Sequence, residues 1–132
     1  MATLKLIEMK YRLVERKNPQ RMQGTGKLYA SPVKEGRVSQ KEITTEIAAL
    51  SSLSCEDVNS VIDRLPEIVP KYLVTGKSVS LGNLGTLRIT FSSEGAPSEE
   101  AFDVGMISGV RVLFTPSALL RRSIEDITFE KA

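Results

Sequence analysis

Cys55 is the one cysteine of this 132-residue chain, and the chain has no histidine. A thiol near a helix start can have a lowered pKa, but nucleophilic work also needs a base to take its proton, and none of the usual kind is present. Without a second cysteine or any histidine there is no disulfide within the chain, no cysteine-based zinc site and no serine–histidine relay. Asp57, Asp63 and Glu67 are spaced along a helical stretch as caps or solvated charges and make no acid/base pair. The turn Gly82-Asn83-Leu84-Gly85 lacks the Lys-Ser/Thr ending with which a phosphate-binding loop holds a nucleotide. These absences predict a protein that is not an enzyme and that takes no cofactor, metal or small-molecule substrate.

What remains is charge. The net charge is +2, but residues 1 to 41 hold ten Lys and Arg against three Glu, and residues 42 to 132 hold eight against thirteen acids. The local balances are therefore +7 and −5. A basic segment of this kind attracts a polyanion, and it equally suits a segment packed on its own acidic remainder.

Hydropathy patterning places these residues on elements. Ile7, Met9, Tyr11 and Leu13 alternate with Glu8, Lys10 and Arg12, the period of a half-buried strand. The stretch 16–27, with Pro19, Gly24 and Gly26, reads as an exposed loop, and Leu28 to Val33 as a short strand that Pro32 confines to an edge. Ser39-Gln40-Lys41-Glu42 reads as a capping box before Ile43, Ile47 and Leu50 at helical spacing. Ser54 caps a second helix, with apolar positions from Val58 to Leu73 and a stop at Gly76. Pro66 and Pro70 fall inside it, so either one bent helix or two shorter pieces fits. Val79 and Leu81, the Gly82-Asn83 turn, and Leu87, Ile89 and Phe91 then read as a hairpin. Val110, Val112 and Phe114 make a third strand. Thr115-Pro116 opens a last helix with Leu119, Leu120, Ile124 and Ile127 on its apolar side. The N-terminus is interrupted by charge before a signal-peptide run can form, and no stretch reaches membrane-spanning length, which predicts a cytoplasmic protein.

The order helix, helix, three strands, helix from residue 39 onward resembles the HU/IHF histone-like family. Three stretches carry the resemblance. Glu42-Ile43 through Leu53-Ser54-Cys55-Glu56-Asp57 is similar to the family's first helix and the opening of its second. Gly76-Lys77-Ser78-Val79-Ser80-Leu81-Gly82-Asn83-Leu84-Gly85-Thr86-Leu87 is similar to its glycine-rich hairpin, with Leu87 in place of an aromatic. Phe114-Thr115-Pro116 is similar to the junction that starts its last helix. Residues 1–38 have no counterpart in ordinary HU and look like the extension of divergent HU-related bacterial proteins. The resemblance implies an α+β fold in which residues 39–132 form an HU/IHF-like domain: two N-terminal helices, a three-stranded antiparallel sheet with a β-arm, and a C-terminal helix. Residues 1–38 add a basic extension with one or more extra strands. It further implies an intertwined homodimer that binds double-stranded DNA in the bacterial nucleoid, without a membrane.

Strand alternation chooses the contact face. With Leu87, Ile89 and Phe91 turned inward, Arg88 faces the other way, as does Arg111 between Val110 and Val112. Two guanidinium groups on one open sheet face suit phosphates or a narrow minor groove, and are equally compatible with plain solvation. Gly85, by its backbone N–H, and Arg121, where the family often has a basic residue, are further candidates, as are Arg12, Arg16, Lys17, Arg21 and Lys27 of the extension. The arm departs from the family. Ser92 to Gly109 holds Glu94, Glu99, Glu100 and Asp103 and no Lys or Arg, and Pro97, the one candidate wedge, reads also as a turn proline. The acidic arm keeps a second reading open, a dimeric protein-interaction or scaffold module of the same fold with weakened or lost DNA binding.

Overall fold

Ser39 and Ser54 start the two helices by the same chemistry. In the computed structural model, which describes residues 8–16 and 26–132, the Ser39 hydroxyl accepts from the Glu42 N–H at 3.2 Å and opens α1 (Gln40–Leu50). The Ser54 hydroxyl accepts from the Asp57 N–H at 3.1 Å and opens α2 (Cys55–Leu73). The Asp57 carboxylate in return accepts from the Ser54 N–H at 3.4 Å, so the full reciprocal box stands at α2.

Of the two forms open for the second helix, the continuous one is adopted: α2 runs through Pro66 and Pro70. The prolines are four residues apart, so the backbone bonds they delete lie one above the other on one face, and the remaining ladder carries the helix through. α1 and α2 meet across a polar seam. Thr44, 2% exposed, donates to the Asn59 side-chain carbonyl at 2.8 Å, and the Gln40 amide reaches Asp63 at 3.1 Å.

Two compact units are formed, Val38–Arg122 and Met1–Arg37 with Ser123–Ala132. In the first, β3 (Val79–Ser80), β4 (Gly85–Ser93) and β5 (Ile107–Pro116) make an antiparallel sheet in that order. Gly82, at φ 64°, makes the predicted hairpin turn, closed by a 2.8 Å bond from the Leu81 N–H to the Gly85 carbonyl. The α+β class inferred from the sequence is therefore present, with three α-helices and two small sheets among the described residues.

The end of the chain departs from expectation. Pro116 is the last residue of β5 rather than the opening of the helix, and Ser117 caps α3 (Ala118–Ile124) by accepting from the Leu120 N–H at 3.0 Å. The helix stops at Ile124, short of the expected Ile127, and Thr128–Lys131 becomes β6. β6 lies parallel to β1 (Glu8–Arg16), whose other edge takes antiparallel β2 (Lys27–Pro32). Glu125 and Asp126 would set two negative charges at the C-terminal end of the helix, against its dipole, whereas Thr128 and Phe129 favour a strand where a partner edge is open. Thr128–Lys131 thus joins the sheet of β1 and β2, and Ser123–Ala132 groups with Met1–Arg37. β2 is an edge strand, as Pro32 requires.

Candidate nucleic-acid interface

The register of β4 and β5 sets Arg88 opposite Leu113 and Thr90 opposite Arg111. Opposed residues share a face, so Arg88 and Arg111 stand diagonally on one side of the sheet, while Leu87, Ile89, Val112 and Phe114 stand on the other. Both arginines are exposed. The Arg111 guanidinium leans along the strand toward Ser92, whose hydroxyl it meets at 3.4 Å. Between described residues the ion pair formed is Arg64 with Glu67, at 3.3 Å, so neither guanidinium is neutralised by a described carboxylate.

Gly85 is buried, and a Cβ there would meet the Phe114 ring and the Thr115 carbonyl at 2.5 Å. Its position is fixed by this close approach, a packing reason for glycine beside the backbone-donor role read from the sequence. The Ser117 hydroxyl donates to the Asn83 carbonyl and the Ser117 N–H to the Leu84 carbonyl at 3.1 Å, fastening the hairpin turn to the start of α3. Arg121 is exposed on α3.

The two-residue spacing of β4 and β5 breaks between Thr90 and Ser92, where Gly109 takes φ 66°. This bulge supplies extra local twist where the ribbon leaves the sheet. Pairing continues to Ser93 opposite Ile107, and the arm then closes on itself through the Glu94 N–H to the Met106 carbonyl at 3.0 Å. Pro97 is exposed in the bend before a turn fastened by the Ala101 N–H on the Ser98 hydroxyl. Glu94, Glu99, Glu100 and Asp103 are all exposed.

In the other unit, alternation and register bring Arg12, Arg16 and Lys27 to one face, since Arg16 opposes Lys27 and Arg12 opposes Ser31. The Arg16 guanidinium lies 5.5 Å from the Tyr29 ring centre. Lys10, opposite Glu130, belongs to the same face by the two-residue period of β1. At the β6 side of that face Glu8 and Glu130 share a proton-accepting pair. The hydrogen bond that the protonated Glu8 carboxyl donates to Glu130, then the Glu130 charge, hold the Glu8 carboxyl above the usual carboxylate range. Lys17 and Arg21 lie outside the described residues.

Residues 7–131 match the family model described as an HU domain fused to wHTH, Ig or glycine-rich motif. Among solved structures, the fold is similar to one from Bacteroides vulgatus provisionally described as a bacterial DNA-binding protein, at TM-score 0.64 and 20% identity. That match covers 94% of this chain and 48% of the other, so this chain spans about half the length of that protein. No curated protein matches the sequence.

Proposed function

We propose, from the premise that this chain belongs to the family of HU domains fused to wHTH, Ig or glycine-rich motifs, that it is a non-enzymatic architectural protein binding duplex DNA. It acts as a homodimer in the bacterial cytoplasm, at the nucleoid. The observation that carries the reading is the pairing of Arg88 and Arg111, both exposed, on one face of an antiparallel sheet whose other face is apolar. Guanidinium groups on such a face bind backbone phosphates, which position the duplex without reading its sequence, so low sequence specificity follows. Arg12, Arg16 and Lys27, with Lys17 and Arg21 of the same basic extension, add phosphate contacts. Arg121 and the Gly85 backbone complete the set, and Pro97 is the one residue of the arm available as a wedge.

The dimer is supported by what the helices leave uncovered. Val58 and Leu73 are the buried apolar residues among those described, whereas Ile43, Ile47, Leu53, Leu65, Ile68 and Tyr72 are 40–50% exposed. Apolar faces of this extent on adjoining helices call for a second layer, and a two-fold copy is the commonest source. The assay is a fluorescence-anisotropy titration of the dimer against a random duplex at increasing salt. Binding that weakens steeply with salt is the expected outcome, and a flat response removes the electrostatic basis.

The exposed carboxylates of the arm favour the scaffold reading, because Glu94, Glu99, Glu100 and Asp103 repel a phosphate backbone. Under it the dimer persists and duplex DNA is not retained at physiological salt. The same titration, run beside sedimentation of the free protein, separates the two.

A further inference from the structure

The sheet β2-β1-β6 is two-faced. Most of its charges lie on one side, with Lys10, Arg12, Arg16 and Lys27. On the other, register places Met9 beside Phe129, Tyr11 beside Pro32, and Leu13 beside Ala30, with Leu28 at the far end opposite Glu15. Met9, Leu13, Leu28 and Phe129 on this face are 41%, 45%, 63% and 67% exposed. A three-stranded sheet needs its apolar face packed against a further layer. We propose that this layer is the same face of a second copy of the chain, stacked across a two-fold axis.

Three features of the face select that occupant. First, the face is self-complementary. One end is hollowed into a groove of about 400 Å³ lined by Met9, Tyr11, Ala30, Pro32 and Phe129, and the other end carries Leu28 as a projecting side chain. A two-fold axis across the strands reverses one copy on the other, so each Leu28 enters the opposite groove. Second, the charges on this face sit at its rim and are unlike: Glu15 beyond Leu13, and Lys131 opposite Tyr11 on β6. The Glu15 carboxylate accepts from the Gly26 N–H at 3.1 Å, and between the two charges the face is apolar. Third, the sheet edges resist the alternative of strand addition. Pro32 removes a donor from β2, and β6 is four residues long with Glu130 and Lys131 at its end. Stacking of faces at the usual sheet-to-sheet distance of ~10 Å is left.

The size of the face sets the strength. Strands ~4.8 Å apart and ~3.4 Å per residue give a patch of roughly 400 Å² per copy, about half of what a stable interface buries. The contact is therefore weak and concentration-dependent. It is distinct from the proposed helical-body dimer and would link such dimers to one another.

The test is thiol cross-linking of the full chain in a Cys55→Ser background. Ala30→Cys puts a thiol at the centre of the apolar face, and Ser31→Cys puts one on the charged face of the same strand as the control. With a short bis-maleimide at high protein concentration, the Ala30→Cys protein is expected to cross-link at least tenfold faster than the control. Adding Leu28→Glu, a substitution at an exposed side chain, is expected to bring the rate down to the control. Each chain then carries a single thiol, so the covalent product is a dimer and its rate of formation is the readout. Equal rates for Ala30→Cys and Ser31→Cys, or a rate untouched by Leu28→Glu, overturn the proposal. No DNA enters the measurement, so its result is separate from that of the DNA titration.

Discussion

Replacing Arg88 and Arg111 together by Gln removes two cations per protomer from one sheet face without touching the apolar face behind it. In the proposed dimer this would be four phosphate contacts. At ~0.9 counterion released per contact, the slope of log affinity against log salt becomes shallower by about 3.6. Between about 50 and 200 mM salt those four contacts alone account for a loss of roughly 150-fold in wild-type affinity, which the double variant no longer shows. The assay is the anisotropy titration at four or more salt concentrations, with circular dichroism and sedimentation confirming that the variant keeps its fold and assembly. Both side chains are exposed and neither pairs with a described carboxylate, so the substitution leaves no buried partner charge. A slope change below about 1 in a folded dimer refutes the assignment of the sheet face and moves the contact elsewhere, first to the Lys10, Arg12, Arg16 and Lys27 face.

Leu65→Ala distinguishes a covered helical face from a solvated one. At 40% exposure in the single chain a solvated leucine costs under about 1 kcal/mol, whereas one buried in a dimer costs ~2–4 kcal/mol and makes the melting temperature depend on protein concentration. Ser54→Ala removes the cap at α2 and strands the Asp57 N–H, and is expected to lower stability by ~1 kcal/mol in urea unfolding. An effect on stability near zero would mean that the cap is replaced by water. Gly85→Ala forces a methyl against the Phe114 ring and the Thr115 carbonyl, and is expected to cost ~2 kcal/mol or more by the same assay. The raised Glu8 carboxyl means that the folded sheet holds this proton more tightly than the unfolded chain. That stabilisation is complete at low pH and is lost as pH rises from the ordinary value of 4.5 through the raised one. Amide-exchange protection of Thr128–Lys131 is therefore expected to fall over that range and, in Glu130→Gln, to stay flat. An unchanged pH dependence in that variant removes Glu130 as the cause.

Local rules were enough for much of this chain. Ser39 and Ser54 announce their helices because a hydroxyl accepting from an N–H three residues on is a contact within one turn. Gly82-Asn83 announces the hairpin because positive φ favours glycine, and the alternation around Arg88 and Arg111 assigns their common face because a strand repeats every two residues. The absence of histidine and of a second cysteine bounded the chemistry by composition alone. What the sequence could not supply was decided by pairing at a distance. Four residues, Thr128–Lys131, are too few to show a period, and they are a strand because β1 offers them an edge more than a hundred positions earlier in the chain. The same holds for α2, whose two prolines argue locally for a break; the helix continues because its remaining backbone bonds and its seam with α1 outweigh the two that are missing. The bulge at Gly109 likewise follows from how β5 must bend against β4, a relation between strands that neither strand's own residues express.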